Sequence, residues 1–302
     1  MINVNNLNNQ QDIIVIFGAT ASGKSDLALK IALEVDGVII NADSSQIYYD
    51  APILSNLPSV EEFQQISHKL FAYLSIIENS SVADWLKLCA FEIKQARLQK
   101  KIPIIVGGSG MYISSLLYGI SDIPNNAETK QKAIDTYNKI GYENFFNLIK
   151  NIDPEYTKKI TDSQRLIRAY EVYLISSKSF SYFQSLPNKK YVTGNFINIF
   201  INPERETLYQ KINERTLLMF NKGLLEEVSK IYALTQKDLH LKKILGLKEV
   251  VSNINGETSL EETISTIQQK TRNYAKRQIT WFNNQIQEKN IIKNINDIFY
   301  KK

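Results

Sequence analysis

The strongest constraint on the fold is the octet Gly-Ala-Thr-Ala-Ser-Gly-Lys-Ser at residues 18–25, which matches the P-loop pattern G-x-x-x-x-G-K-[ST] at every fixed position. An apolar run at residues 13–17 precedes the octet, and a run compatible with a helix follows it at residues 26–34. A strand, loop and helix in this order hold phosphate groups, because the loop turns its backbone N–H groups inward and the helix adds the positive end of its dipole. The octet therefore predicts an α/β region and a ligand that carries phosphate groups.

Every residue of the octet is a predicted phosphate-binding residue: Gly18, Ala19, Thr20, Ala21, Ser22, Gly23, Lys24 and Ser25. Lys24 is expected to reach the outer phosphates, and the Ser25 hydroxyl is expected to ligate Mg²⁺. The motif alone leaves the identity of the ligand open.

The first 120 residues alternate between predicted strands and predicted helices. Strands are expected at residues 13–17, 38–41 and 102–106, and helices at residues 24–35 and 82–99, the second opened by a capping box at Ser81. Continuous apolar strands between helices indicate a parallel sheet covered on both faces. We therefore predict an α/β fold in which helices flank a parallel sheet like that of the P-loop NTPases.

The chain changes character after this region. Residues 123–195 are polar, rich in lysine and helical in period, so they are predicted to form an all-helical insertion. A strand at residues 196–202 is expected to return to the sheet, and a capping box at Ser259 opens a long helix that ends near residue 287. The predicted organisation is a disordered lead at 1–12, a core formed by 13–122 and 196–302, and the insertion at 123–195.

The composition limits the kinds of partner and metal site that the chain can have. The formal net charge of +5 favours a polyanionic partner such as nucleic acid. The single cysteine, Cys89, excludes an intramolecular disulfide and a cysteine-based zinc site, and His68 and His240 are too far apart in sequence to suggest a metal-ligand pair. With no apolar stretch long enough to span a bilayer and no signal-peptide pattern, we expect a cytoplasmic protein without a membrane partner.

Polar side chains follow two of the predicted strands. Asp43 comes directly after the second strand, where a carboxylate could hold Mg²⁺ through water, act as a general base, or cap a following helix. Ser44, Ser45 and Gln46 can hydrogen-bond a planar polar substrate. Ser109 follows the glycine pair that ends the third strand, where it could donate to a diphosphate or to Asp43, or simply form the turn. Because ligands bind beyond the carboxyl ends of parallel strands, these residues and the P-loop are expected to share one crevice.

Two segments pair basic with aromatic or amide side chains. Residues 271–282 place Lys276 and Arg277 on a helix with Trp281, which suits phosphate contact and base stacking, and residues 164–168 form a second short basic motif. A solvated amphipathic helix is the alternative interpretation of the first segment. Few acidic residues follow the strands, which argues against ordinary phosphoryl transfer, although a P-loop kinase for nucleosides or small molecules stays the alternative function.

Taken together, these motifs resemble one family, the bacterial tRNA dimethylallyltransferases, also called tRNA isopentenyltransferases. The matching segments keep the family's order and spacing over residues 13–283. They are residues 18–25, 43–48, 107–112, 164–168, 219–228 and 276–281. The string Lys-Arg-Gln-x-Thr-Trp at 276–281, in a chain that also carries a P-loop, is highly specific for this family.

The resemblance implies transfer of a dimethylallyl group from dimethylallyl diphosphate to N6 of adenosine 37 in tRNAs that read codons beginning with U. The products are N6-dimethylallyladenosine and diphosphate. The resemblance also implies a P-loop core with a helical insertion, a P-loop that holds the diphosphate of the donor without need of ATP, and Mg²⁺ as cofactor. The partner is the anticodon stem-loop of tRNA, and we expect a monomer.

The resemblance also assigns roles to residues of this chain. Asp43 matches the catalytic aspartate, and Ser109 stands where the family usually has a catalytic threonine. Asp43, Ser44, Ser45 and Gln46 are expected to hold the adenine after it leaves its stack. The residues expected to contact the anticodon arm are Gln164, Arg165, Leu166, Ile167 and Arg168 in the insertion, and Lys276, Arg277, Gln278 and Trp281 in the long helix.

The chain departs from the family pattern at three further positions. Leu57 lies in a loop where many members have a basic residue, Gln131 replaces an arginine, and Leu247 replaces a tyrosine. These departures suggest weaker or rearranged tRNA contacts, or neutral sequence divergence, which is the explanation we favour.

Overall fold

The structure is a computed structural model and describes residues 7–235 and 244–294. Residues 1–6 of the predicted lead, His240 and the tail from residue 295 lie outside the described residues. No helix within the described ranges is long and apolar enough to cross a membrane.

The described elements alternate between strands and helices at first and are mainly helical later. The strands are β1 (Asp12–Gly18), β2 (Gly37–Asn41), β3 (His68–Lys69), β4 (Ile102–Gly107), β5 (Asn195–Ile201) and β6 (Asn290–Ile292). The helices are α1 (Lys24–Val35), α2 (Pro52–Ser55), α3 (Val60–Gln65), α4 (Val82–Leu98), α5 (Gly110–Tyr118), α6 (Ala127–Ile152), α7 (Pro154–Thr157), α8 (Ser163–Ser176), α9 (Phe180–Ser185), α10 (Arg205–Asn221), α11 (Leu224–Leu234), α12 (Leu247–Ile254) and α13 (Leu260–Gln285).

Within the described residues the strands form one parallel sheet in the order β3-β2-β4-β1-β5-β6. β1 lies at the centre, where Phe17 pairs with Gly107 of β4 and Gly18 pairs with Ile201 of β5. All residues of β1, β2 and β4 are buried, which explains their continuous apolar sequences, because helices cover both faces of the sheet. The predicted α/β fold is confirmed.

The edge strands β3 and β6 have no counterpart in the sequence prediction. Each has two or three residues, and their burial patterns are intermediate and exposed. A strand this short, with one neighbour and little buried surface, leaves no apolar run in the sequence.

The prediction of a disordered lead over residues 1–12 is wrong for its described part. Asp12 is the first residue of β1, and its carboxylate accepts from the backbone N–H of Asn8 at 2.7 Å. Leu7 packs against the apolar cluster under α1, and the Gln11 carbonyl accepts from Asn195 at 2.8 Å. Hydrogen bonds to distant segments therefore order a stretch whose Asn- and Gln-rich composition suggested disorder.

The chain divides into two compact units. The first unit contains the sheet and joins residues up to Leu117 with those from Tyr191 onward, and the second unit is Tyr118–Lys190, where the sequence placed the insertion at 123–195. The second unit consists of helices α6 to α9 around a core of Phe145, Ile149 and Leu166. Each unit thus has its own apolar core.

Three aromatic rings attach α13 to the sheet. Phe282 packs on Phe17 of β1 and Phe200 of β5, with ring centroids 4.9 and 5.8 Å apart, and the latter two stack on each other at 5.5 Å. All three side chains are fully buried. This cluster fixes the helix that carries the conspicuous 276–281 motif.

We predict that Phe282→Ala lowers the free energy of unfolding of the first unit by about 3–5 kcal/mol, because it leaves a cavity between α13 and the sheet. Urea titration followed by tryptophan fluorescence measures this unit alone, since both tryptophans of the chain, Trp85 and Trp281, lie in it. The control is Phe91→Ala, whose ring is 56% exposed and whose loss should cost within about 0.5 kcal/mol. Equal effects of the two substitutions would contradict the packing role of Phe282.

Candidate active site

The P-loop connects β1 to α1 at the centre of the sheet. Gly23 caps α1 with a φ of 92°, a left-handed conformation that favours glycine. The first N–H groups of α1 have no partner inside the helix and carry the positive end of its dipole. The Lys24 ammonium donates to the Ala19 carbonyl at 2.5 Å, and Ser25 is exposed at the start of the helix. The loop therefore has the form of an anion-binding site.

Three charged side chains meet at this loop. Burial lowers the pKa of Lys24 to about 8, although the Asp43 carboxylate opposes that shift, and the Arg215 guanidinium adds to it. Burial also lowers the pKa of Arg215, against the attraction of Asp43. Both cations thus lie near the half-buried carboxylate. An anionic ligand bound there would stabilise the charged forms of Lys24 and Arg215.

Arg215 is a site residue that sequence analysis missed. It lies on α10, and its Nη2 donates to the Thr20 hydroxyl of the P-loop at 2.7 Å. No local pattern distinguishes this arginine from the other charged residues of α10, because its neighbourhood depends on how α10 packs beside the loop. We count it with Lys24 as a candidate phosphate contact.

Asp43 is held in a turn beyond β2. Its Oδ1 accepts from the Ser45 N–H at 3.0 Å and from the Ser45 hydroxyl at 2.6 Å. The buried Asn41 side chain fixes the backbone on both sides, accepting from the Asp43 N–H at 2.8 Å and donating to the Asp43 carbonyl at 3.0 Å. The next helix begins only at Pro52, so the helix-cap interpretation of Asp43 is wrong. The other oxygen, Oδ2, faces Gly108: a Cβ built there would lie 3.3 Å from it.

Within the protein, the Ser109 hydroxyl bonds to Ser44 and not to the Asp43 carboxylate. Its Oγ accepts from the Ser44 N–H at 2.8 Å and donates to the Ser44 Oγ at 3.0 Å. Of the predicted roles, donation to the Asp43 carboxylate is therefore wrong. The serine instead ties the end of β4 to the residue next to Asp43, and so holds the turn that carries the carboxylate.

Ser44, Ser45 and Gln46 all make hydrogen bonds within the protein. Ser44 bonds to Ser109 and Ser45 to Asp43, as described above, while Gln46 Nε2 donates to the Ser55 carbonyl at 3.2 Å and to the Asn56 carbonyl at 2.6 Å. These contacts shape the turn and anchor the loop that follows α2. Their predicted contact with an adenine base stays a prediction.

The 276–281 motif divides between two faces of α13. Lys276 and Arg277 are exposed, and Arg277 lies 5.8 Å from the ring centroid of Tyr274. Gln278 is buried: its Oε1 accepts from the Thr20 N–H at 2.9 Å, and its Nε2 donates to the Gly108 carbonyl at 2.8 Å. Trp281 packs against the start of α5, where a Cβ on Gly110 would lie 2.5 Å from its ring.

The motif is therefore partly structural. Gln278 has both polar atoms engaged inside the protein, so its predicted contact with the anticodon arm is wrong. Lys276 and Arg277 keep the exposure that a phosphate contact needs.

Tyr274 is another residue near the carboxylate. Burial raises its pKa to about 12, the Asp43 charge adds to the shift, and Arg277 and Gln278 oppose it. The phenol is therefore neutral at physiological pH and available as a hydrogen-bond donor beside Asp43. In the sequence its only signal is its place between the basic residues Arg272 and Lys276.

In the second unit, α8 carries the other basic motif. Gln164 and Arg165 are exposed, whereas Leu166 is fully buried in the core of the unit. Arg168 pairs with the buried Glu171 at 2.8 Å. The predicted RNA contact of Leu166 is wrong, because the helical period turns it inward. A cavity of about 400 Å³ is lined by Gln164, Arg165 and Arg168 together with Tyr156, Phe180 and other residues.

The three residues that depart from the family pattern differ in their exposure to solvent. Leu247 is fully buried in the cluster that includes Met219 and Val250, so the leucine is a core residue. Gln131 is exposed on α6 and bonds to Asp135 at 2.9 Å, and Leu57 is partly exposed after α2. Burial of Leu247 excludes an altered RNA contact there and agrees with neutral divergence, the favoured explanation.

Comparison with known proteins identifies related sequences. The sequence model described as IPP transferase matches residues 46–285. The tRNA dimethylallyltransferases of Rickettsia canadensis and Rickettsia conorii are 41% and 40% identical to this chain over 290 residues, which is 94% of this chain and 89% and 80% of those proteins.

Solved structures resemble the fold as well. The full-length tRNA isopentenylpyrophosphate transferase of Bacillus halodurans superposes with a TM-score of 0.67 at 28% identity, covering 94% of this chain and 90% of that one. A eukaryotic dimethylallyltransferase acting on tRNA gives a TM-score of 0.77 at 26% identity, covering 90% of this chain and 70% of that one.

We predict that the affinity for dimethylallyl diphosphate, the donor that the sequence resemblance implies, falls about tenfold from pH 7 to pH 9, because Lys24 loses its proton above its pKa of about 8. Calorimetry without tRNA measures this affinity. The terminal phosphate of the ligand, with a pKa near about 6, stays ionised over this range. Lys24→Arg should bind with nearly constant affinity, since guanidinium does not titrate there. The same decline in both proteins would assign the effect to another group.

Proposed function

The chain belongs to the IPP transferase family and is a transferase that prenylates tRNA, and we propose that it moves a dimethylallyl group from dimethylallyl diphosphate to N6 of adenosine 37. The observation that carries this proposal is the Asp43 carboxylate beside two cations that contact the P-loop, Lys24 of the loop itself and Arg215 of α10. A base next to a polyanion site is what alkyl transfer from a diphosphate to an amine requires.

The P-loop binds the diphosphate of the donor. Backbone N–H groups at the start of α1 and the side chains of Lys24 and Arg215 surround it with positive potential. As the bond between C1 of the dimethylallyl group and the diphosphate oxygen breaks, the leaving group gains negative charge. These fixed donors stabilise that charge in the transition state.

The site also suits Mg²⁺. Ser25 offers an exposed hydroxyl at the loop, and Mg²⁺ is commonly held by one or two protein oxygens together with substrate phosphates and water. Among the described residues no cluster of three His, Cys, Asp or Glu could hold a metal ion by itself. Mg²⁺ bound through Ser25 would neutralise part of the diphosphate charge.

Asp43 is the general base. The exocyclic amine of adenine is a poor nucleophile because its lone pair is delocalised into the ring, so proton removal assists attack on C1. The N6 proton passes to Asp43 Oδ2, since Oδ1 already accepts two hydrogen bonds from Ser45. Such assistance contributes about 10²–10⁴-fold to the rate.

The acceptor is the anticodon stem-loop of tRNA. Adenosine 37 must leave its stack to reach the half-buried Asp43 carboxylate, as for other base-modifying enzymes. Lys276 and Arg277 of the first unit, and Gln164 and Arg165 of the second, are exposed side chains suited to phosphate and base contacts. We expect a monomer that acts on tRNA in the cytoplasm, on tRNAs that read codons beginning with U.

The transfer is tested with purified protein, Mg²⁺, radiolabelled dimethylallyl diphosphate and unmodified tRNA that has adenosines at positions 36 and 37. We expect label in full-length tRNA, mapped to position 37. A parallel reaction with ATP and no prenyl donor tests the kinase alternative, which predicts ATP turnover indifferent to tRNA. Absence of transfer by a folded protein that binds both substrates would contradict the proposal.

We predict that Asp43→Asn lowers the single-turnover rate of transfer by about 10²–10⁴-fold and leaves tRNA affinity unchanged, because it removes the proton acceptor alone. The matched control is Asp26→Asn, which neutralises an exposed carboxylate in the first turn of α1 and should keep the wild-type rate. A wild-type rate in Asp43→Asn would refute the assignment of the base.

We predict that Arg277→Ala weakens tRNA binding and reduces the slope of log affinity against log salt by about 1, since one phosphate contact and its released counterion are lost. The control is Lys87→Ala, which removes an exposed positive charge from α4. Filter-binding titrations at several salt concentrations measure both. Equal slopes of log affinity against log salt in the two variants would favour the alternative interpretation, in which residues 271–282 form a solvated helix face.

A further inference from the structure

The side-chain amide of Gln278 joins two loops that are distant in sequence. Its Oε1 accepts from the backbone N–H of Thr20 at 2.9 Å, and its Nε2 donates to the carbonyl of Gly108 at 2.8 Å. The side chain is 5% exposed. One planar group therefore satisfies a backbone donor of the P-loop and a backbone acceptor of the turn after β4, with water excluded.

The two loops carry the two halves of the reaction site. The P-loop follows β1, and Gly108 follows β4, whose residue Gly107 pairs with Phe17 of β1. Beyond Gly108, Ser109 holds Ser44, the neighbour of Asp43. On the other side, the Thr20 hydroxyl accepts a hydrogen bond from the Arg215 guanidinium. Gln278 thus lies between the diphosphate-binding loop and the support of the base.

The packing at this junction is close. A Cβ built on Gly108 would lie 2.5 Å from Gln278 Nε2 and 3.3 Å from Asp43 Oδ2. A shorter side chain at position 278 would leave the Thr20 N–H and the Gly108 carbonyl without partners. An apolar side chain of equal length would keep both groups buried but without a hydrogen bond. Such loss is costly in a dry site, so the loops would move apart or admit water.

We propose that Gln278 is a positioning residue for prenyl transfer: it fixes the P-loop against the turn after β4, so that the diphosphate and the Asp43 carboxylate lie at a set separation. It does this without touching tRNA. The proposal rests on the proposed function for its kinetic readout. The expected effect of Gln278 substitutions on donor binding does not depend on prenyl transfer. Displacements of about 1 Å between reacting groups can cost about 10²-fold in rate.

The test compares three variants. Gln278→Met keeps the length of the side chain and removes both hydrogen bonds. Gln278→Glu keeps an acceptor for Thr20 but turns a second oxygen toward the Gly108 carbonyl. Gln268→Met is the matched control, because Gln268 lies on the same helix and its Nε2 donates to a backbone carbonyl, that of Asn213, at 3.3 Å.

For Gln278→Met we expect weaker binding of dimethylallyl diphosphate and a single-turnover rate lowered by about 10–100-fold, with tRNA affinity equal to the wild type. Gln268→Met should match the wild type in all three quantities. For Gln278→Glu, the rate relative to the wild type at the same pH should recover as the pH falls toward 6, because a protonated carboxyl can again donate to Gly108 and burial raises its pKa. A merely structural side chain would show no such recovery.

Two outcomes would overturn the proposal. The first is loss of tRNA affinity in Gln278→Met with donor binding and saturated rate intact, which would make Gln278 an RNA contact. The second is wild-type behaviour of both Gln278 variants. If Gln278→Met fails to fold, the pH dependence of Gln278→Glu decides. If the wild-type protein transfers no prenyl group, the proposed function fails, and donor binding by the variants still tests the junction.

Discussion

The site depends on the pairing of β1 with β4 at the centre of a parallel sheet. Since parallel strands end at one edge, Phe17 opposite Gly107 brings the P-loop beside the turn that supports Asp43. A buried amide from α13 then joins the two loops, and the Phe17, Phe200 and Phe282 rings fix that helix to the sheet. The register of β1 and β4 and the packing of α13 therefore together set the distance between the Asp43 carboxylate and the diphosphate site.

The arrangement explains how one helix can serve two purposes. The buried side of α13 carries Gln278, which contacts the P-loop, while its exposed side carries Lys276 and Arg277 one or two residues away. Because a helix turns about 100° per residue, neighbouring residues face different environments. A short motif can thus combine a structural amide with candidate phosphate contacts. The specificity of the 276–281 motif for the family therefore does not mean that every residue of the motif binds RNA.

Features with local signals were predictable from sequence. The P-loop, Asp43 at the end of β2 and the buried strands follow from spacing and apolar runs that need no knowledge of distant residues. The inward orientation of Leu166 follows from the helical period of α8 and could have been predicted. The partner of Ser109, the burial of Leu247 and the participation of Arg215 were not predictable, because each depends on packing between segments far apart in sequence. Composition also misjudged residues 7–12, which hydrogen bonds to remote backbone groups hold in place.

The most direct test of the account is a crystal structure with Mg²⁺, an anticodon stem-loop and an unreactive thio analogue of dimethylallyl diphosphate. The account predicts the diphosphate on residues 18–25 beside Lys24 and Arg215. It also predicts the adenosine 37 N6 within about 3–3.5 Å of C1 and in hydrogen-bond reach of Asp43 Oδ2. A diphosphate bound away from the P-loop, or an N6 that faces away from Asp43, would contradict it.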